Sequence, residues 1–390
     1  VIVVGNLNKL VNKILSRIVK GPISKYLKIS SNKVVAYNFF GNGYGDNPKY
    51  IIEKLLESKQ DLDIIWIVSD VSTPMPNGIR KVKYGSFQSM YELATAKVII
   101  GNIKNFPKPR KKRGQFYLQT WHAGLGLKSS ERQIEDSLPP QYVEAAKRDA
   151  AETDLMLSDS QWTTDIYKNW FWYDGKIYKS GFPRNDILVN KPKQIIEKVY
   201  AFYNIKRSSK IVLYAPTFRD SNNTRDLYSF DFKRIKEILD RQMNEDYVFL
   251  IRLHPNLKHA FKRPLYEFDG QVMIDAQNYP DMQELIVATD ILITDYSSSM
   301  FDAMIAEKRV FLLARDLGDF EQKDRKLLFD LKNDVPFSFS SNENELIVNI
   351  SLFDENEYKN RVKAFEQKIE LLEDGNASRR VAKLIEDRML

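Results

Sequence analysis

The chain has three histidines, and His122 stands where a side chain could act. In YLQTWHAGLGLK (117–128) it follows an apolar, β-prone run and precedes Gly124 and Gly126. Ligands of open α/β sheets lie beyond the carboxyl ends of the strands, so a residue just after QFYLQT is placed for chemistry. An imidazole there can be a base near neutral pH or can simply pack, and the spacing leaves both readings open. FLIRLHPN puts Arg252 and His254 two apart at another strand end, where both could meet a diphosphate oxygen, with Pro255 stopping any continuation. YAPTFRD ends a strand with Thr217 and Arg219, and SGFPRNDIL presents Arg184, Asn185 and Asp186.

The run DILITDYSSSMFDAMIAEKR reads as a strand, a turn of Asp295, Tyr296, Ser297, Ser298 and Ser299, and a helix opening. Amides and hydroxyls at a helix start can cradle a phosphate, whereas one serine would suffice as a cap. Three serines after an aspartate tilt the reading toward an anion site. Asp302, three residues into that helix, can reach a ribose or a polyol, or can merely favour the helix dipole. GNGYGDNP (41–48) has glycines at 41, 43 and 45, which is not the dinucleotide spacing, and it lacks a Walker lysine. It reads as a strand-to-helix turn. His254 and His259 have no paired carboxylates nearby, so no metal is expected.

The elements that must position these residues alternate as short β runs and helices, the pattern of parallel sheets covered by helices. KVVAYNFF, DIIWIVS, KVII, QFYLQT and LMLSDS are the first set of expected strands; KIVLYA, YVFLIRL, QVMI, DILIT and RVFLL are the second. NPKYIIEKLLES and SFQSMYELATA are expected helices. The expected architecture is α/β, with two Rossmann-like domains facing a central cleft. Its divisions are a segment 1–30, a domain 31–187, a linker 188–208 and a domain 209–390, with the last helices packing back on the first domain. A length of 390 residues suits two domains, and the absence of cysteine excludes disulfides, thiolate zinc sites and cysteine nucleophiles and fits a reducing compartment. No run of 18 apolar residues offers a membrane span. The chain opens on Val1 rather than Met, so further residues are expected before it.

Lys and Arg total 59 against 52 acids, and the first acid is Asp46. Before it, Leu7, Leu10, Val11, Ile14, Leu15, Ile18 and Val19 fall on one helical stripe, with Lys9, Lys13, Arg17 and Lys20 on the other face. An amphipathic helix with an all-cationic polar face suits an anionic membrane surface. KNFPKPRKKRGQ (104–115) repeats the bias in a Pro-broken loop, which is either solvated or set against a membrane or polyanion.

Taken in order, TWHAGLGLK, GFPRND, LYAPTFR, RLHPN and TDYSSSMFD resemble the blocks of the CDP-glycerol glycerophosphotransferase family, the teichoic acid polymerases and primases and related capsule transferases. The resemblance runs over about residues 33–320, and the first block departs from the common pattern at Ala123, Gly124, Leu125 and Gly126. It implies a GT-B fold with an acceptor half followed by a nucleotide half. It also implies transfer of polyol phosphate, with glycerol first, from a CDP-polyol to a hydroxyl of a lipid-linked glycan or polymer, releasing CMP. No cofactor and no nucleic acid are expected, and the place of work would be the cytoplasmic face of the plasma membrane. His122 then matches the family's base, and His254, Arg252, Arg219 and Ser297–Ser299 would neutralise the diphosphate. A nucleotide-sugar glycosyltransferase, or a binder of membranes or polyanions without catalysis, are the alternatives.

Overall fold

The computed structural model describes residues 21–389 except 22, 59–60, 220–223, 255, 258–260 and 262–263. The expected basic helix over residues 7–20 and His259 lie outside the described residues. The chain divides into two units: one takes the residues to His122, Ser130–Asp186 and Leu372–Leu390, the other Ala123–Ser129 and Ile187–Leu371.

The first unit is built on seven parallel strands: β1 (Lys33–Tyr37), β2 (Asp63–Val68), β3 (Ile79–Lys83), β4 (Val98–Gly101), β5 (Phe116–Gln119), β6 (Leu155–Ser158) and β7 (Lys176–Lys179). Their order is β3-β2-β1-β4-β5-β6-β7. Its helices include α1 (Asp46–Leu56), α2 (Phe87–Thr95), α3 (Pro140–Glu152) and α4 (Gln161–Trp170). Strand alternation gives both faces a core. Val34, Ala36, Trp66 and Ile100 pack with Ile51, Ile52 and Leu55 of α1, while Val35, Tyr37, Ile67 and Tyr117 pack with Met90 and Leu93 of α2. At Gly101 a Cβ would stand 2.2 Å from the Tyr37 ring, so only glycine lets β4 lie against that buried tyrosine.

The strands β3 (IRKVK) and β7 (KIYK) were not expected from the sequence. Both are sheet edges with few buried side chains, and cationic edges lack the apolar run by which inner strands are read. LMLSDS stops as a strand at Ser158, because Ser160 turns out of the sheet to cap α4, its hydroxyl accepting from Thr163 N at 3.0 Å.

The second unit holds six parallel strands: β8 (Ser209–Ala215), β9 (Asp246–Ile251), β10 (Met273–Asp275), β11 (Ile291–Thr294), β12 (Arg309–Leu313) and β13 (Ser338–Ser340). Their order is β10-β9-β8-β11-β12-β13, again the doubly wound arrangement. Its helices include α5 (Lys193–Tyr203), α6 (Phe232–Met243), α7 (Met282–Ala288), α8 (Ser299–Ile305), α9 (Glu343–Ser351) and α10 (Glu355–Ile369). Residues 188–208, expected as a linker, carry α5, which Lys198 ties to Glu284 of α7 at 2.6 Å. The chain then returns to the first unit in α11 (Ala377–Met389), where Val381, Ala382 and Ile385 join the core beside α1. Among the described residues no helix is long and apolar enough to cross a membrane.

Candidate active site

In each sheet the winding reverses at one point, between β1 and β4 in the first unit and between β8 and β11 in the second. Such switch points leave a crevice beyond the carboxyl ends of the strands. Some of the candidate residues lie near these points and others turn away from them.

In the first unit Asn102 follows β4 directly and is fully buried. Its Oδ1 accepts from Phe39 N at 2.7 Å, its Nδ2 donates to Asn38 Oδ1 at 2.8 Å, and its carbonyl lies 2.8 Å from His122 Nδ1. A carbonyl can only accept, so Nδ1 carries the proton and Nε2 presents the lone pair. The half-buried ring lies 5.1 Å from Phe39 and 4.4 Å from Trp121 between centroids. Burial, aided by the charge of Arg184, pushes the imidazole down to about 4, so it is neutral at physiological pH. Trp121 holds a left-handed φ of +56°, a costly conformation that the surroundings must enforce. Its amide donates to Gln119 Oε1 at 3.1 Å, and its carbonyl accepts from Thr120 Oγ1 at 3.0 Å and Asn47 Nδ2 at 3.1 Å.

Asn47 is the joint between two motifs. Fully buried in the first turn of α1, it bonds Trp121 on one side and accepts from Arg184 N at 3.1 Å on the other. Arg184 Nη1 faces Asp46 Oδ2 at 3.5 Å. GNGYGDNP is thus the turn that fastens the Arg184 segment to the His122 segment. Asn185 and Asp186 turn the other way: Asn185 Nδ2 donates to Glu373 Oε1 at 2.8 Å, and the Asp186 oxygens accept from Ala377 N and Ser378 N, each at 2.8 Å. Asp186 therefore caps α11 from a distant part of the chain. Asn47, Asn102, Asp46 and Phe39 were not singled out in the sequence; two asparagines directly behind buried strands or opening a helix were the available signal.

In the second unit Asp295 follows β11 and stitches it to β8. Its Oδ1 accepts from Thr217 N at 2.9 Å and Tyr296 N at 2.6 Å, and its Oδ2 from Arg219 Nη1 at 2.9 Å. Arg219 also grips Asp316 through Nε at 2.9 Å and Nη2 at 2.8 Å, and its Nη1 bonds the Thr217 carbonyl. The guanidinium expected on a diphosphate is thus buried between two carboxylates. Thr217 Oγ1 is buried at the switch point with no hydrogen-bond partner among the described residues, which marks a place for a ligand atom. His254 is exposed and stacks on Phe218 at 5.7 Å. Its Nδ1 accepts from Asn256 N at 3.3 Å, so Nε2 bears the proton and can donate to an anionic oxygen.

Arg252 lies past the end of β9, and its Nη1 donates to the Ala276 and Tyr279 carbonyls, each at 2.8 Å. It braces the segment after β10. Ser297 Oγ accepts from Ser299 N at 3.3 Å and lies 2.9 Å from Ser299 Oγ, whereas Ser298 makes no capping hydrogen bond. Asp302 is buried and accepts from Gln283 Nε2 of α7 at 3.1 Å. Thr217, Asp295 and Arg219 are therefore one cluster, which His254 joins through Phe218.

The basic loop 104–115 is partly neutralised, three of its six cations forming ion pairs among the described residues. Lys104 pairs with Glu131 at 2.6 Å, Lys108 with Asp149 and Glu152, and Lys111 with Asp154, while Lys112 Nζ bonds the Leu27 carbonyl. The partner acids lie tens of residues away, which is why the loop reads as an unpaired charge run.

Comparison with known proteins agrees with this arrangement. The chain is 31% identical to a teichoic acid glycerol-phosphate transferase of Staphylococcus aureus, covering 93% of this chain and 95% of that protein. It is 28% identical to a teichoic acid poly(glycerol phosphate) polymerase of Staphylococcus epidermidis, covering 92% of this chain but 51% of the polymerase, so it spans about half the length of that relative. A solved structure of the wall teichoic acid polymerase TagF, a variant soaked with CDPG, superposes with a TM-score of 0.85 at 27% identity over 99% of this chain and 96% of the other. The family described as CDP-Glycerol:Poly(glycerophosphate) glycerophosphotransferase matches residues 23–387, and the chain belongs to it.

Proposed function

We propose that this chain transfers glycerol phosphate from CDP-glycerol to a hydroxyl of a teichoic acid chain or of its lipid-linked glycan, with release of CMP. The observation that carries the reading is His122 itself: a neutral imidazole at a strand end, fixed by Asn102 so that Nε2 offers its lone pair. The acceptor hydroxyl attacks the β-phosphorus and gives its proton to Nε2. The bond from that phosphorus to the bridging oxygen breaks, and CMP leaves with the electron pair. Phosphoryl transfer depends chiefly on position and charge, so the second unit's task is to hold the diphosphate. The groups we assign to it are Thr217 Oγ1, which has no hydrogen-bond partner among the described residues, together with Ser298 and His254.

Incubating the chain with CDP-glycerol, CDP-ribitol and nucleotide sugars beside a short acceptor, with mass analysis of the products, tests the reading. The expected result is CMP and an acceptor heavier by one glycerol phosphate. Release of a nucleoside diphosphate from a nucleotide sugar, and none of CMP, would make the chain a glycosyltransferase.

The place of work in this proposal is the cytoplasmic face of the plasma membrane, reached through the basic stripe of residues 7–20. Deleting residues 1–20 stops short of Leu27, whose carbonyl accepts from Lys112 Nζ. The truncated chain is expected to lose binding to anionic vesicles and to keep activity on a short soluble acceptor. Sedimentation should show binding of the longer chain weakening with salt, since attraction is screened within about 8 Å at physiological ionic strength. Loss of activity on the soluble acceptor would instead mean that the stripe packs on the fold.

A further inference from the structure

Two buried carboxyl groups of the first unit take no part in the chemistry above. Asp159, just after β6, is fully buried; its Oδ1 accepts from Ser160 Oγ at 3.0 Å, and its Oδ2 has no hydrogen-bond partner among the described residues. Glu373 lies in the segment leading to α11. Its Oε1 accepts from Phe182 N at 3.0 Å and Asn185 Nδ2 at 2.8 Å, and its Oε2 is likewise buried without a partner. The two residues are neighbours: Leu372 N donates to the Asp159 carbonyl at 2.7 Å. Gly181, whose amide bonds the Ser158 carbonyl at 3.1 Å, lies so close that a Cβ on it would stand 2.7 Å from Glu373 Oε2. With a φ of +73° as well, position 181 accepts only glycine, and the bare backbone makes room for the carboxyl.

An ionised carboxylate is an acceptor only, so two bare carboxylate oxygens on neighbouring buried residues are both unsatisfied, and the two charges repel each other. A single proton shared by the two carboxyls would relieve both defects. The surrounding charges fit one ionised and one neutral group. Arg184, from the turn after β7, favours ionised Asp159 and is itself shared with Asp46. Asp186, from the same turn, opposes ionisation of Glu373, and Arg380 of α11 acts on Asp186. From α4 come only the hydroxyls of Thr163 and Tyr167. Burial raises both carboxyls above the ordinary range, and the charge of Asp159 raises Glu373 further.

We propose that Asp159 and Glu373 hold one proton between them, and that this proton latches the C-terminal segment onto the turn carrying Arg184. The turn is tied to that segment at Phe182, Asn185 and Asp186, so the latch positions Arg184, whose charge bears on His122. Asp159 and Glu373 are then positioning residues. Only this last link rests on the proposed transferase reading; the shared proton does not.

Infrared spectroscopy of the full chain tests it without reference to activity. At neutral pH the wild type should show the C=O stretch of a protonated carboxyl that disappears in both Glu373→Gln and Asp159→Asn, where an amide N–H replaces the proton. A band that survives in Glu373→Gln, or no band in the wild type, overturns the proposal. In the transferase assay, kcat/KM of the wild type should fall at alkaline pH as the proton is lost, while Glu373→Gln should stay flat. Glu373→Ala, which leaves Asp159 bare, should lose roughly tenfold in kcat/KM, about the effect of one buried hydrogen bond. A parallel alkaline fall in Glu373→Gln overturns the positioning role. The infrared result with no transfer of glycerol phosphate by any form would reject the activity reading alone.

Discussion

Replacing His122 with Ala is expected to lower turnover by roughly 10²–10⁴, the usual effect of a positioned base, while affinity for CDP-glycerol is nearly retained. The separation follows from the architecture. His122 belongs to the first unit, just past β5, whereas His254 and the Thr217 hydroxyl, which has no partner among the described residues, belong to the second. In the proposed reaction, removing the imidazole takes away the proton acceptor and leaves Thr217 and His254 untouched. The pH profile carries a second signature. Burial holds the free imidazole down to about 4, below the ordinary histidine value of about 6.5. The acidic limb of kcat/KM assigned to His122 should therefore lie near pH 4, well below 6.5. Stability follows the same sign: between these values the unfolded chain binds the proton and the folded one does not, so His122 makes folding less favourable as pH falls through that window. Binding of the anionic donor would raise the imidazole again and bring it nearer the range where a base is effective. An alanine variant that folds and turns over at the wild-type rate would remove His122 from the chemistry.

The groups that could act were legible where they followed an apolar run. His122, Thr217, Asp295 and His254 all stand just past inner strands, and inner parallel strands announce themselves by continuous burial. What a side chain does after the strand ends was not legible, because it is decided by residues far away in sequence. Arg219 looked like a phosphate ligand until Asp295 and Asp316, roughly 76 and 97 positions on, were seen to enclose it. Asp186 looked like a substrate contact, but its acceptors serve an α11 amide 191 positions later. Three cations of the basic loop, Lys104, Lys108 and Lys111, found partners in Glu131, Asp149, Glu152 and Asp154 in the same way. The converse case is Asn102, which carries no charge and belongs to no recognised motif, yet fixes the tautomer of His122 through its backbone.

Arg219→Ala is expected to destabilise the second unit by about 3–5 kcal/mol, the cost of removing one partner from a buried ion pair. Arg219 is 3% exposed and Asp295 equally buried, so the Asp295 carboxylate it leaves behind cannot turn to water without breaking the joint between β8 and β11. A surface pair would be worth about 0–1 kcal/mol at most, so the size of the effect decides between the two situations. For a unit of this size the loss corresponds to a melting temperature lower by roughly 6–20 °C. Lysine should rescue little, since one ammonium cannot serve Asp295, both oxygens of Asp316 and the Thr217 carbonyl at once. Acidity gives an independent reading. Burial alone would raise the Asp316 carboxyl, but the bonds from Arg219 and Tyr296 hold it below the ordinary range. Its contribution to stability is then present above the unfolded carboxylate value and is lost as pH falls through the lowered one. Wild type should lose stability across that acidic window, and the alanine variant should not, because its Asp316 has no cation left to lose. A variant melting within a degree of the wild type would show that the two carboxylates find other partners, and Arg219 would then be free to be tested as a phosphate ligand after all.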